Sequence, residues 1–303
     1  MIQQLSPALL FLALASAPAG PLAPLAGPAP QEEVPQDEAP QEEDEGTTPA
    51  AEGPTPVPAF PDLGVTDEEA LKGSRALAKS WGTAAYRILI QRNKKRQVEV
   101  GIYVQNNSMG AIEGEQVLQC TDFLTMPKMQ AEMSFRTICD ANARARVRGV
   151  TGEIPTGKMR IEFEDGRAVG SNIGQTPVDS PIPELFLTKF SVLRGLHWLR
   201  FEEGWSATFP YLDIEKLPGE RANSSGTMKC LGPVTLQIEG GEYPSWKFRW
   251  AQLEKEPIFV WFGEDGRMLK RQEKSEIWLW SPKITAKQIE LEEERRTSRS
   301  KGR

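Results

Sequence analysis

The chain of 303 residues contains one histidine, three cysteines and, over its first 71 residues, no lysine or arginine. Each scarcity excludes something. With a single imidazole, His197 in "RGLHWLRF", any serine or cysteine hydrolase would have to use it as the base. No Gly-x-Ser-x-Gly accompanies it, and Leu196, Trp198 and Leu199 surround it, so a packed histidine is expected. Cys120, Cys139 and Cys230 have neither Cys-x-x-Cys nor Cys/His spacing, which removes zinc, and no metal or other cofactor is expected. An odd count leaves two readings open: a bridge between Cys120 and Cys139, the closest pair, or three buried thiols. No apolar run approaches the ~20 residues that span a bilayer, so no transmembrane span is expected.

What is present begins with "MIQQLSPALLFLALASAPAG". A short apolar run followed by Ala-x-Ala patterns predicts a signal peptide over 1–19, cut after Ala15, Ala17 or Ala19. The domain is then expected to be exported, to the periplasm or beyond. Residues 20–66 are dominated by Pro, Ala and Glu, as in "QEEVPQDEAPQEEDEG", and offer almost nothing to bury. They read as a disordered acidic linker. A β-rich domain is expected over 67–283, and a charged tail, helical or disordered, over 284–303. The first 71 residues hold 13 of the 42 acidic side chains, so the remainder carries 36 basic groups against 29. That mild excess falls well short of a nucleic-acid binder, and no nucleic-acid partner is expected.

From Thr83 onward the dominant signal is alternation with period two, the pattern of a half-buried strand. In "MQAEMSFRTIC" it places Met129, Ala131, Met133, Phe135, Thr137 and Cys139 on one face. "ARARVRGV" continues it, with Arg144, Arg146 and Arg148 outward. Tyr86, Ile88 and Ile90 share a face, as do Val98, Val100, Ile102 and Val104, across a turn at "NKKR". Further runs are Met159-Ile161-Phe163, Trp205-Ala207-Phe209, Val234-Leu236-Ile238, Trp246-Phe248-Trp250 and Ile258 to Phe262. Clean alternation argues for antiparallel strands. Helices are expected within "SPIPELFLTKFSVLRGLHWL", over Thr285–Arg296, and over Asp67–Lys79 behind a Thr-x-x-Glu cap. The fold class is therefore mainly β: around ten strands in a large curved antiparallel sheet, an open or half-closed barrel, with one to three helices.

"EDGR" occurs twice, in "FEDGRAV" and "FGEDGRML", each time between extended runs, and both read as hairpin turns. Neither supplies the ligands of a calcium loop. "GEIPTGKM", Gly152 to Met159, matches a phosphate loop except that Met159 replaces the magnesium-binding hydroxyl and a strand follows instead of a helix. It too reads as a hairpin. The carboxylate pairs Glu202-Glu203 and Glu162-Glu164 fit exposed strands, and the Asn-x-Ser triplets at Asn106 and Asn223 are at chance level and matter only in a glycosylating host. No catalytic residue is assigned. The aromatic cluster is more informative: Trp246, Phe248, Trp250 and Trp261 are the candidates to line an apolar cavity, a packed core being the plainer reading.

The signal, the long successive strands, the "SPIPELFLTKF" interruption and the late "VWFGEDGRMLKRQE" hairpin together resemble bacterial envelope proteins of unknown function. Those are similar to the lipoprotein-carrier clam, a curved antiparallel sheet with helices lying in its mouth. The resemblance covers roughly Ser74 to Trp280 and carries no functional residue across. It implies a non-enzymatic domain that binds a lipid or other apolar ligand, or an envelope protein. Two alternatives stand beside it: a scaffold with a solid core and no ligand, and a polysaccharide-binding or polysaccharide-active protein.

Overall fold

The computed structural model describes residues 57–80, 82–93, 96–142, 145–192, 199–219, 222–252 and 255–301. His197 and Arg144 lie outside them. Among the described residues fourteen antiparallel strands form one sheet, in which neighbours in space are neighbours in sequence with one exception. The first meander runs β1 (Thr83–Asn93), β2 (Arg96–Ile112), β3 (Glu115–Met126), β4 (Ala131–Asp140), β5 (Val147–Ile154), β6 (Gly157–Glu164), β7 (Arg167–Ser171) and β8 (Pro177–Pro181). The second runs β9 (Ser206–Leu212), β10 (Asn223–Ile238), β11 (Gly241–Gln252), β12 (Ile258–Gly263), β13 (Met268–Glu273) and β14 (Glu276–Trp280). The exception is the seam between the meanders, where β1 pairs with β14 and Tyr86 faces Trp280.

The sheet is curved and not closed, as alternation implied, and richer in strands than expected. Its edges, β8 and β9, are consecutive in the chain, so the connection between them crosses the open side. Leu187 does the bridging: its N–H donates to Pro210 O at 2.8 Å and its carbonyl accepts from Leu212 N–H at 2.9 Å. Those backbone commitments to edge strand β9 keep the first part of the 180–199 segment, up to Leu187, out of the expected helix. Only a four-residue helix, α2 (Lys189–Val192), appears there among the described residues. Its neighbours Phe186, Leu187, Val192 and Leu199 are buried.

Helix α1 (Asp67–Ser80) opens with the cap read from sequence. The Thr66 hydroxyl accepts from Glu69 N–H at 3.3 Å, and the Glu69 carboxylate accepts from Thr66 N–H at 2.9 Å. Helix α3 (Pro282–Lys301) is longer than expected and packs on β1. The Thr285 hydroxyl accepts a 2.9 Å hydrogen bond from Ala85 N–H, and Glu292 accepts one from Asn106 at 3.0 Å. This covering explains why β1 is buried on both faces, at Ala84, Tyr86 and Ile88 and also at Ala85 and Leu89. Upstream of α1, Phe60 meets Phe209 edge-on at 5.3 Å, so the end of the acidic linker stretch packs on the body.

Both "EDGR" stretches are turns, of different kinds. Glu164 pairs with Arg167 around Asp165 and Gly166, both at positive φ (46° and 69°), the two-residue hairpin that Asp-Gly favours. The second is a longer loop closed by Gly263 N–H to Arg267 O at 2.8 Å. "GEIPTGKM" is the β5–β6 hairpin, with Ile154 facing Gly157 and Met159 in the core. Two readings need correction. Ala145 and Arg146 are not strand: Asn142 Oδ1 accepts from Ala145 N–H at 3.2 Å, and β5 starts only at Val147. Val98, Val100, Ile102 and Val104 do not share one face: the pairing of Ile88 with Gly101 and Leu89 with Glu99 leaves Val100 as a bulge on β2, and past Gly101 the buried residues are Tyr103, Gln105 and Asn107.

Candidate functional site

Two apolar clusters fill the concave side. The larger gathers residues of β1–β4 and β9–β14, and the smaller gathers those of β4–β8 with Phe186, Leu212, Ile214 and Leu217. Alternation along β11 aims Trp246, Phe248 and Trp250 into the larger one, as expected. Phe248 is fully buried, with ring centroids of Phe201 at 5.6 Å, Phe262 at 5.7 Å and Trp205 at 6.4 Å around it. Trp250 lies over Gly226, where an added Cβ would stand 2.1 Å from the indole. Trp261 does not join them. The β11–β12 register sets Val260 opposite Phe248 and Trp261 opposite Lys247, so Trp261 is on the outer face, covered by lysine side chains.

The cysteines resolve to the second reading. Cys120, Cys139 and Cys230 are buried thiols and no disulfide joins them. The register pairs Cys120 with Thr137 and Leu118 with Cys139, which makes the two cysteines diagonal neighbours. Diagonal positions stand ~7–8 Å apart, too far for unstrained bridge geometry. Burial pushes the Cys230 thiol above its ordinary pKa, which makes it a poor nucleophile.

Between the two clusters runs a row of buried polar groups that alternation could not reveal, since it assigns polar residues to water. Gln105 faces Asp122 across β2–β3, and Asn107 faces Cys120, which in turn faces Thr137. Asp122 is 1% exposed and accepts a 2.5 Å hydrogen bond from the Tyr103 hydroxyl. The Gln105 Nε2 and the Thr137 Oγ1 have no hydrogen-bond partner among the described residues. A second buried polar group lies on β13–β14. Arg271 donates to Glu276 at 2.8 Å and pairs with Glu273, while the Trp278 indole N–H donates to the same Glu276 oxygen at 2.8 Å. Arg271, Glu273, Glu276 and Trp278 are thus tied to one another, whereas Gln105 Nε2 and Thr137 Oγ1 are not. Among the described residues no three His, Cys, Asp or Glu side chains gather to hold a metal.

The outer face of β3–β7 carries a cavity of about 470 Å³. Its lining includes Thr121, Ser134, Thr151 and Ser171, with Arg136, Lys158 and Arg160 among them and exposed Phe123 beside them. The cations are partly engaged: Arg160 with Glu162 at 2.6 Å, Lys158 with Glu153 at 3.2 Å, Arg136 with Gln119 at 2.6 Å. Arg148, part of the expected arginine face, pairs with Asp140 and Glu115. No described helix is long and apolar enough to cross a membrane.

No family model and no curated protein matches the chain. Two solved structures are similar to it in shape. One is a β-barrel-like protein of the domain of unknown function DUF1849 from Brucella abortus, at 9% identity, with a TM-score of 0.42, over 66% of this chain and 94% of that one. The other is a DUF1089 family protein from Pseudomonas aeruginosa, at 11% identity, with a TM-score of 0.32, over 55% and 87%.

Proposed function

We propose that the chain is an exported, non-catalytic interaction domain of the cell envelope, with a solid core and contacts made by the outside of its sheet. One observation carries this reading over the apolar-carrier alternative. The lipoprotein-carrier resemblance would seat an acyl chain on the concave face, among Trp246, Phe248 and Trp250. That ground is held by the chain's own rings: Phe201 packs on both Trp246 and Phe248, and Phe60 on Phe209. A ligand would have to displace groups already packed as a protein interior is. The cavity on β3–β7, with hydroxyls and cations around Phe123 and Phe135, suits an extended partner of the envelope that offers both polar and apolar groups. Export is supported by the leader's apolar run and Ala-x-Ala patterns.

The test is organic extraction of the purified protein followed by mass spectrometry, with uptake of a hydrophobic dye measured in parallel. A clean extract and no dye uptake are expected. A lipid recovered at near one per chain would overturn the solid-core reading and return the concave face to ligand carriage.

A further inference from the structure

The outer faces of the two meanders handle positive charge differently. On the first, Arg87 pairs with Glu99, Arg148 with Asp140 and Glu115, Lys158 with Glu153, Arg160 with Glu162 and Arg167 with Asp179. On the second, the register of β10–β13 sets Lys229 opposite Arg249, Arg249 opposite Phe259, Lys247 opposite Trp261, and Trp261 opposite Lys270. None of these four cations forms an ion pair among the described residues. Like charges directly opposite across a strand pair are unfavourable. Two ammonium groups also share one indole: Lys247 and Lys270 stand 5.2 and 4.5 Å from the Trp261 ring centre, and Lys247 is 4.7 Å from that of Phe259. Burial first, and then the charge on Lys247, hold the Lys270 amine below its ordinary pKa range. Glu203 lies over Gly232, opposite Lys247, yet no carboxylate pairs with any of the four cations among the described residues, and an anionic segment would relieve such a patch.

The same chain supplies such a segment. Between positions 32 and 45 it carries Glu32, Glu33, Asp37, Glu38, Glu42, Glu43, Asp44 and Glu45 and no basic residue. Reach is sufficient. Phe60 is anchored on Phe209 of β9, and β13 lies four strands further, roughly 20 Å at the usual spacing. The eleven residues between Glu45 and Val57 let those two stand up to about 40 Å apart. Tethering also makes the encounter intramolecular, at an effective concentration on the order of millimolar. We propose that Glu32–Glu45 docks on the outer face of β10–β13, against Lys229, Lys247, Arg249 and Lys270 around Trp261. The acidic stretch then acts as a built-in occupant that any anionic partner of this face must displace. This inference is independent of whether the concave face is solid.

Carbodiimide coupling tests it, because the reagent joins a carboxylate to a lysine amine only where the two touch. With the full chain kept monomeric at low salt, cross-links from residues 32–45 are expected to concentrate on Lys229, Lys247 and Lys270. They should fall several-fold at about 1 M salt, where screening acts within ~3 Å. Arg249→Glu, at an exposed position that cannot itself be coupled, is expected to lower the yield at Lys247 and Lys270 several-fold. Cross-links spread evenly over exposed lysines such as Lys72 and Lys158, or concentrated on Lys301, would overturn the proposal. So would their absence, or a pattern indifferent to salt and to Arg249→Glu.

Discussion

Gly226 owes its place to Trp250. The indole lies where a side chain at 226 would begin, with the nearest ring carbon 2.1 Å from the missing Cβ. Flanking strands fix the ring in a core of near-crystalline density, so a methyl group there forces a shift rather than filling space. Gly226→Ala is expected to cost about 1–3 kcal/mol, read as a lower urea midpoint with an unchanged slope. An unchanged midpoint would mean that Trp250 is free to move. Trp250 itself was legible in the sequence, through its alternation with Trp246 and Phe248. The glycine beneath it was not, because only the β10–β11 register brings residue 226 under that ring. Gln105, Asp122 and Thr137 escaped for a related reason: a polar residue on a buried face is written no differently from one facing water. Trp261 shows the converse, a large ring on the outer face that its composition alone assigns to the interior.

At the scale of elements, local chemistry spoke plainly wherever it acts within a few residues. The Thr66–Glu69 cap and the Asp165-Gly166 turn are both of this kind. The cap also carries a pH signature. Hydrogen bonds from the Thr66 backbone N–H and then its hydroxyl hold the Glu69 carboxyl below its usual 4.5. A depressed carboxyl contributes stability above the unfolded value and loses it as pH falls through the lower folded one. Amides in the first turn of α1 should therefore lose protection from hydrogen exchange below about pH 4.5, and Glu69→Gln should flatten that dependence. Equal acid sensitivity in the variant would sink the assignment. Where an element depends on distant partners, the reading slipped. The apolar spacing after Pro181 suggests helix, yet Leu187 spends its backbone groups on β9, and among the described residues of that segment only Lys189–Val192 are helical. Turn chemistry names which strands are joined by hairpins; it is silent on which edges a passing segment will bridge.

For the whole molecule, the division of the core yields a measurable expectation. Trp205, Trp246, Trp250, Trp278 and Trp280 belong to or pack on the larger cluster, and the smaller has no tryptophan among its described members. Fluorescence from these five therefore reports the larger cluster, while far-ultraviolet circular dichroism reports the full sheet. Strand β4 contributes to both clusters, through Ala131 and through Phe135 and Cys139. The two probes should thus give one urea transition with coincident midpoints. Separate midpoints would show that the strands around the smaller cluster open on their own. A mainly β, curved, unclosed sheet could be foreseen from alternation and turn spacing. The seam could not, since nothing local to Tyr86 or Trp280 marks them as neighbours.

That seam sets the timetable of assembly. Every other strand finds its partners among those made just before or just after it, but β1, among the first to leave the ribosome, receives β14 almost last. For most of the time it takes to make the chain, one margin of β1 offers bare peptide groups to whatever passes. A growing polypeptide of this design needs escorting until its final hairpin arrives, and one released short of Trp280 would leave that margin permanently open.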